Sequence, residues 1–198
     1  MGIPKRRFFE DLESAVEERI DEALQKLAAA GVELLELDLP EVAGTDEMFA
    51  NVVPTELATF LGNERIAAQG HLIDPVVRAR LDVAAGLKAT DYLRLVRRHM
   101  AAVRSAAARL DGLDGWLSPT TPLRAVPVAE CSTVETAVAW NQRSMRNTRP
   151  VNYLGQCAIS IPLPAPPSSL PVGLQLAAAP WKDAHLLGVA ATLERALA

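Results

Sequence analysis

Arg146-Asn147-Thr148-Arg149-Pro150-Val151-Asn152-Tyr153-Leu154-Gly155-Gln156-Cys157-Ala158-Ile159-Ser160-Ile161-Pro162 joins a polar turn, a short helix start and an apolar run in seventeen residues. The Asn-Thr-x-Pro-x-Asn portion carries the amides and a hydroxyl that a binding site needs. Cys157 to Ile161 is apolar enough for the middle of a sheet. A polar turn beside the end of a buried strand is where α/β proteins bind ligands, so this stretch sets both the fold class and the candidate site.

Working outward, the elements before and after it alternate between strand and helix. Gly2-Ile3-Pro4 reads as a short strand, and Ser14-Ala15-Val16-Glu17 has the Ser-x-x-Glu form of a capping box. Val16, Ile20, Leu24 and Leu27 fall on one face at helical spacing, and Gly31 closes that helix. Val32 to Leu39 follows as a strand ended by Pro40, which completes a βαβ unit. Thr45 to Gly70 is helical but interrupted at Pro54, which opens a second helix. Asp74-Pro75 starts another, ended by Gly86. Thr90 caps a long helix with a stripe of Tyr92, Val96, Met100, Val103, Ala107 and Leu110. After the turn Asp111 to Gly115, Trp116 to Pro119 is a buried strand leading into the loop Pro119-Thr120-Thr121-Pro122. Ser132-Thr133-Val134-Glu135 is a second capping box, starting the helix that carries Trp140, Asn141 and Arg143. Past the opening stretch, Pro164 to Ser169 is a turn and Val172 to Ala178 a strand. Asp183 caps a last helix with Leu186, Ala190, Leu193 and Leu197 on one face. The fold class is therefore α/β: a mixed, largely parallel sheet covered by helices on both faces, with residues 1–198 forming a single unit.

Composition fits a soluble globular chain: 49% of the 198 residues are hydrophobic and 22% charged. A chain of this length can bury about 70% of its unfolded surface. The net charge of -4 offers no field for nucleic acid. No run of 18 or more apolar residues appears and no leader precedes Phe8-Phe9-Glu10-Asp11, so neither membrane nor secretion is indicated and the chain reads as cytoplasmic. Cys131 and Cys157 match no metal or redox spacing, and Cys157 reads as a small hydrophobe. His71, His99 and His185 have no second ligand at metal spacing; no metal and no cofactor is expected. Arg94, Arg97, Arg98, Arg104 and Arg109 on the long helix read as a solvated face. Ser168-Ser169 lacks a Gly-x-Ser-x-Gly elbow and reads as a turn. Walker and Rossmann glycine patterns are absent.

Four separated segments, in order, resemble the amidase signature family. Gly2-Ile3-Pro4 with Phe8-Phe9 is similar to that family's mid-chain strand and turn, and Leu117-Ser118-Pro119-Thr120-Thr121-Pro122 to its Pro-Thr-x-Pro loop. Asn147-Thr148-x-Pro150-x-Asn152-x-x-Gly155 with Ala158 to Pro162, and then Pro171-Val172-Gly173-Leu174-Gln175-Leu176, resemble its late strands. The resemblance covers nearly the whole chain and implies the C-terminal part of an amidase.

The resemblance also implies amide hydrolysis by a serine nucleophile, whose proton passes through a second serine, across a cis peptide, to a neutral lysine. In the family those three residues precede the Gly-Ile-Pro strand, so no catalytic residue is assigned here and the 198 residues alone are expected to be inactive, as a truncated or split amidase would be. The substrate is then a small-molecule amide, handled once a catalytic half completes the site. A sheet cut down its middle exposes an edge, so self-association or a partner chain is expected there. The substrate-binding residues implied are Arg80, which resembles a substrate-binding arginine of the A subunits of amidotransferases, and Thr148 and Asn152. A helix-surface role is equally compatible with Arg80's position, whereas for Thr148 and Asn152 turn and cap hydrogen bonding is the favoured reading. The A subunits hold glutamine with an aspartate just ahead of Thr-x-Pro. Met145-Arg146 stand there in this chain, pointing to the broader amidase branch. Gln156-Cys157 replaces the family's Leu-Pro, altering how the strand begins. The alternative is a non-catalytic binding or scaffold protein that retains the fold.

Overall fold

The computed structural model describes every residue except Ala165, Pro167 and Ser168, and every side chain except those of Val83 and Ala84 as well; the predicted Ser168-Ser169 turn thus lies partly outside the described residues. Strand β1 (Gly2–Pro4), helix α1 (Ser14–Ala29) and strand β2 (Leu35–Leu37) form the expected βαβ unit, with β1 and β2 parallel in the register Gly2↔Leu35 to Pro4↔Leu37. Gly31 exits α1 at φ 90°, a conformation that favours glycine. Two local expectations fail here. Ser14 is already helical, and the N-cap is Glu13, whose carboxylate binds Arg124 instead of the helix's own amides. The second strand is shorter than Val32 to Leu39, because Val32 N–H still bonds back to Leu27 O and Leu39 leads into a 3₁₀ turn at Pro40–Gly44.

Helices α2 (Thr45–Leu61), α3 (Asn63–Gln69), α4 (Pro75–Ala84) and α5 (Ala89–Arg109) follow. Pro54 does not open a second helix: it sits buried inside α2. The Asn51 and Thr55 side chains donate to the carbonyls of Glu47 and Asn51, while the N–H that Pro54 lacks would have served Ala50 O, four residues back. The break falls at Gly62, at φ 82°. Asp74 caps α4 as expected, accepting from the amides of Val76 and Val77 at 2.9 and 3.3 Å. The α5 stripe is rotated from the expected one. Leu95, Ala102, Ala106 and the flanking Leu110 are buried, whereas Met100 is 53% exposed. Thr90 does not cap α5, which begins one residue before it after Lys88.

Strand β3 (Trp116–Pro119) is buried throughout. Helix α6 (Val134–Ser144) is capped by Thr133 with Thr136 as its reciprocal partner, one residue later than the expected Ser132/Glu135 box. Helix α7 (Thr148–Tyr153), strands β4 (Cys157–Pro162) and β5 (Gly173–Ala178), and helix α8 (Asp183–Leu197) complete the chain. Asp183 is the first residue of α8, not its cap; there its charge suits the helix dipole.

The sheet order is β2-β1-β3-β5-β4, with β1 parallel to both neighbours and β5 antiparallel to both of its own. The sheet is mixed, as expected, and its parallel character stops at β3. One face is covered by α1 and α8, which press Val16, Ile20, Leu27, Leu186, Leu193 and Leu197 onto Leu117, Leu174 and Leu176. The opposite face holds Phe8, Ala106, Val151 and Leu154 around Trp116 and Ala177, and the Phe8 and Trp116 rings meet edge-on at 4.9 Å. The Cys157 to Ile161 run does not take the middle of the sheet. It forms the edge strand β4, with Ala158, Ser160 and Pro162 exposed, and β5 is the buried neighbour. Among the described residues no helix is long and apolar enough to cross a membrane.

Candidate functional site

The opening stretch is anchored through Asn147. Alternation along β3 sends Leu117 to the α1/α8 face and Ser118 to the other. Ser118 is paired across the ladder with Gln175, whose Nε2 donates to Ser118 Oγ at 3.1 Å and to Asn147 O at 3.4 Å. Asn147 is fully buried, and its Nδ2 donates to Phe8 O and Pro119 O, both at 2.9 Å. A side chain preceding α7 could have capped that helix. It instead ties the turn after β1, the end of β3 and the start of α7 together. Asn147 lies inside the Asn-Thr-x-Pro motif, which was its only sequence signal, and was not among the expected site residues. Beside this knot, the hydroxyls of Thr120 and Ser160 lie 2.6 Å apart. They close over Gly173, where a Cβ would collide with Ser160 Oγ and stand 2.8 Å from Thr120 Oγ1.

A group of arginines surrounds the N-terminal part of α2. Arg7 holds both carboxylate oxygens of Asp46 at 2.7 and 2.8 Å, and its hydrogen bonding pulls the Asp46 carboxyl below its ordinary pKa. Arg7 Nε also donates to Arg146 O, and Arg146 donates to Glu10 O. Arg149 Nη2 donates to Asn141 Oδ1 at 3.0 Å, and its guanidinium carbon lies 5.6 Å from the centre of the Phe49 ring. Its Nε is buried without a hydrogen-bond partner among the described residues. Burial pushes the pKa of Arg146 and Arg149 down, with neighbouring Arg80 adding to the effect on Arg149; both remain cations.

Of the expected substrate residues, Arg80 is exposed on α4 and donates Nη2 to Phe49 O at 3.2 Å, so it shares Phe49 with Arg149. Thr148 opens α7 and donates to Met145 O at 3.4 Å. Asn152 is exposed one turn later, and its side chain makes no hydrogen bond among the described residues. Arg80 and the opening stretch thus meet through Arg149, and no hydrogen bond links Arg80, Thr148 and Asn152 to one another.

A cleft of about 540 Å³ lies on the other side of α6, lined by Glu13, Arg124, Cys131, Trp140, Arg143 and Leu170 among others. The Arg124 guanidinium clamps Glu13 at 2.5 and 2.8 Å and holds its carboxyl below the ordinary range. Trp140 Nε1 is a buried donor without an acceptor among the described residues. The chain's four lysines, Lys5, Lys26, Lys88 and Lys182, are all exposed, and Lys5 pairs with Glu36. No group of three His, Cys, Asp or Glu side chains converges as a metal site among the described residues.

A family model described as Amidase matches residues 1–187. The chain belongs to the amidase family. Among its relatives, the 2-amino-5-chloromuconic acid deaminase of Comamonas testosteroni is 32% identical over 196 residues, which cover 98% of this chain and 42% of the relative. The A subunit of Glutamyl-tRNA(Gln) amidotransferase from Geobacter metallireducens is 24% identical over 223 residues, covering 100% and 45%. A solved amidase structure superposes with a TM-score of 0.84 at 25% identity, again covering all of this chain and 45% of the other. The structure of the corresponding amidotransferase chain from Thermotoga maritima shares the fold, with a TM-score of 0.77. The chain therefore spans less than half the length of the amidase-family relatives it matches.

Proposed function

We propose that these 198 residues supply one wall of the substrate pocket of a C–N bond hydrolase acting on a small-molecule amide, and that by themselves they turn over no amide. Family membership over residues 1–187 is the observation that carries the hydrolase class. The inactivity is supported by the side chains: each of the four lysines is exposed, so none has the desolvated setting of a neutral base. The wall is formed by the Asn147 turn and α7, with Arg80, Thr148 and Asn152 as the substrate-contacting residues. The serine and lysine come from a completing half. We place the contact with that half at the outer edge of β4, the last strand of the sheet, where unpaired backbone groups and exposed Ala158, Ser160 and Pro162 offer a strand-pairing surface. A cytoplasmic setting fits this assignment.

The experiment compares the purified chain with the same chain co-expressed with a Ser/Lys-bearing amidase half, each assayed for ammonia release from a panel of simple amides. Activity in the pair and none in the single chain is the expected outcome. Turnover by the single chain overturns the claim of inactivity. A folded, stably associated pair without turnover favours a binding or scaffold protein.

A further inference from the structure

We infer that a second copy of this chain pairs with the outer edge of β4 about a two-fold axis at Ile159, and that this dimer and the completed hydrolase exclude each other. The inference rests on the assignment of that edge to the completing half, and adds what holds the edge when the half is absent.

The backbone selects the register. Leu163 N–H donates inward to Val172 O at 2.9 Å, so Cys157, Ile159 and Ile161, in step with it, also turn their main-chain groups toward β5. Ala158, Ser160 and Pro162 turn theirs outward, to the side where no strand lies among the described residues. Proline has no N–H to offer. At the other end, Gln156 N–H is already spent on Val151 O at 3.1 Å. The outward donors left on this edge are those of Ala158 and Ser160. An antiparallel copy that sets Ala158 opposite Ser160 of the second copy uses the N–H and the C=O of both residues in both chains. Moving the axis to Ala158 or to Ser160 sets the spent Gln156 donor or the donorless Pro162 against a carbonyl, which is then left without a partner.

The side chains suit the same arrangement. Ala158 and Ser160, which would face each other on one side of the sheet, are both small. On the other side Ile159 would meet its own copy at the closely spaced position, a β-branched pair. The strand Cys157–Pro162 carries no charge to repel a copy. Helix α8 packs along β4 and extends the surface. Its Leu186, Ala190 and Leu193 enter the core, while Val189 and Thr192 face the cleft beside Gly31 and Val32 at the end of α1. Leu187 and Ala191 therefore stand on the flank away from α1, toward the free side of β4. Both are exposed, Leu187 at 58%. The two-fold axis turns this apolar flank toward its own copy, as an isologous contact requires. A strand from the completing half needs the same outward groups of Ala158 and Ser160. One edge holds one strand, so the dimer is a latent form that the half must displace.

The test uses the ¹⁵N-labelled 198-residue chain alone, in sedimentation velocity over a dilution series with amide hydrogen exchange at each concentration. A monomer–dimer equilibrium without larger species is expected, with exchange at Ala158 and Ser160 slowing as dimer accumulates. A158P deletes an outward donor from each chain at a position where an edge strand tolerates proline, so dimerisation should weaken about tenfold or more. A158V keeps the N–H and should dimerise like the parent. L187D, on the α8 flank, should weaken the dimer several-fold. A monomer at every concentration, open-ended oligomers, a dimer whose Ala158 and Ser160 amides stay unprotected, or A158P or L187D dimerising like the parent overturns the proposal. The parent's exchange data and L187D decide the matter if A158P does not fold. On addition of a Ser/Lys-bearing half, a heterodimer should replace the homodimer, and a complex that keeps two copies paired at Ala158 overturns the exclusion. No turnover is measured, so the dimer can fail while the completed enzyme hydrolyses amides, and it can form in a chain that no half activates.

Discussion

Replacing Asn147 by alanine removes a side chain that joins three separate segments. Its Nδ2 donates to Phe8 O and Pro119 O, each at 2.9 Å, from a position with no exposure. The two hydrogen bonds contribute about 1 kcal/mol each. The acceptors are left in different states. Pro119 O retains the Ser118 hydroxyl at 3.2 Å, whereas Phe8 O loses the side-chain donor seen here and stays buried, at a further cost of about 1 kcal/mol or more. N147A should therefore destabilise the chain by about 3 kcal/mol, measured as a shift of the urea midpoint with the slope unchanged. N147D tests the same geometry from the other side. Its carboxylate would face two carbonyl oxygens, so its folded-state pKa rises above the ordinary aspartate value of about 3.9. The deficit relative to the parent should then grow as pH rises from about 4 and level off above the raised folded value. A loss under about 1 kcal/mol for N147A, against the roughly 3 expected from hydrogen-bond energetics, or an N147D deficit independent of pH, would refute Asn147 as the link between these segments.

Three further outcomes follow from packing and charge. In G173A the new Cβ collides with the Ser160 and Thr120 hydroxyls, so a loss of about 1–2 kcal/mol is expected, with partial recovery in G173A/S160A by thermal unfolding. Glu13 and Asp46 both have folded pKa values held down, chiefly by hydrogen bonds from Arg124 and Arg7; their stabilisation is complete above the ordinary carboxylate pKa of about 4 and is lost as pH falls through the lowered folded values, so an E13Q/D46N variant should show a shallower acid-side decline in urea midpoint than the parent. A158K places a charge on the exposed edge of β4 and should reduce any concentration-dependent association of the chain in sedimentation velocity; unchanged association would move the sticky surface elsewhere.

Much of the architecture was legible because it rests on local chemistry. The βαβ unit followed from helical spacing of Val16, Ile20 and Leu27 and from the glycine at position 31, and the start of α4 followed from Asp74-Pro75. Errors arose where a distant partner decided the outcome. Ser14 looked like a cap until Glu13, committed to Arg124 across the fold, took the boundary position. Pro54 looked like a break, but its helix is held by contacts on both sides and yields instead at Gly62. β4 and β5 are both short apolar runs, and periodicity does not tell an edge from an interior strand. The same limit governs the site. Thr148 and Asn152 were visible as motif residues, while the buried role of Asn147 required knowing that Phe8 and Pro119 lie beside it. Arg149 was silent because its meaning depends on Phe49, Arg80 and Asp46, which other turns of helix bring to it.

The position of β1 between β2 and β3 also shapes how the protein is made. Gly2 pairs with Leu35 on one side and with Trp116 on the other. On the ribosome, β1 and β2 emerge together and can pair early, but the opposite edge of β1 must wait until α2 through α5 have been synthesised and β3 arrives. Closure over so long an intervening segment is slow, and an unpaired inner strand is an invitation to aggregation while it waits. The helical stretch between Thr45 and Arg109 sets the shortest such delay, since the β1–β3 pairing cannot form before helices that contribute no strand to the sheet have been translated.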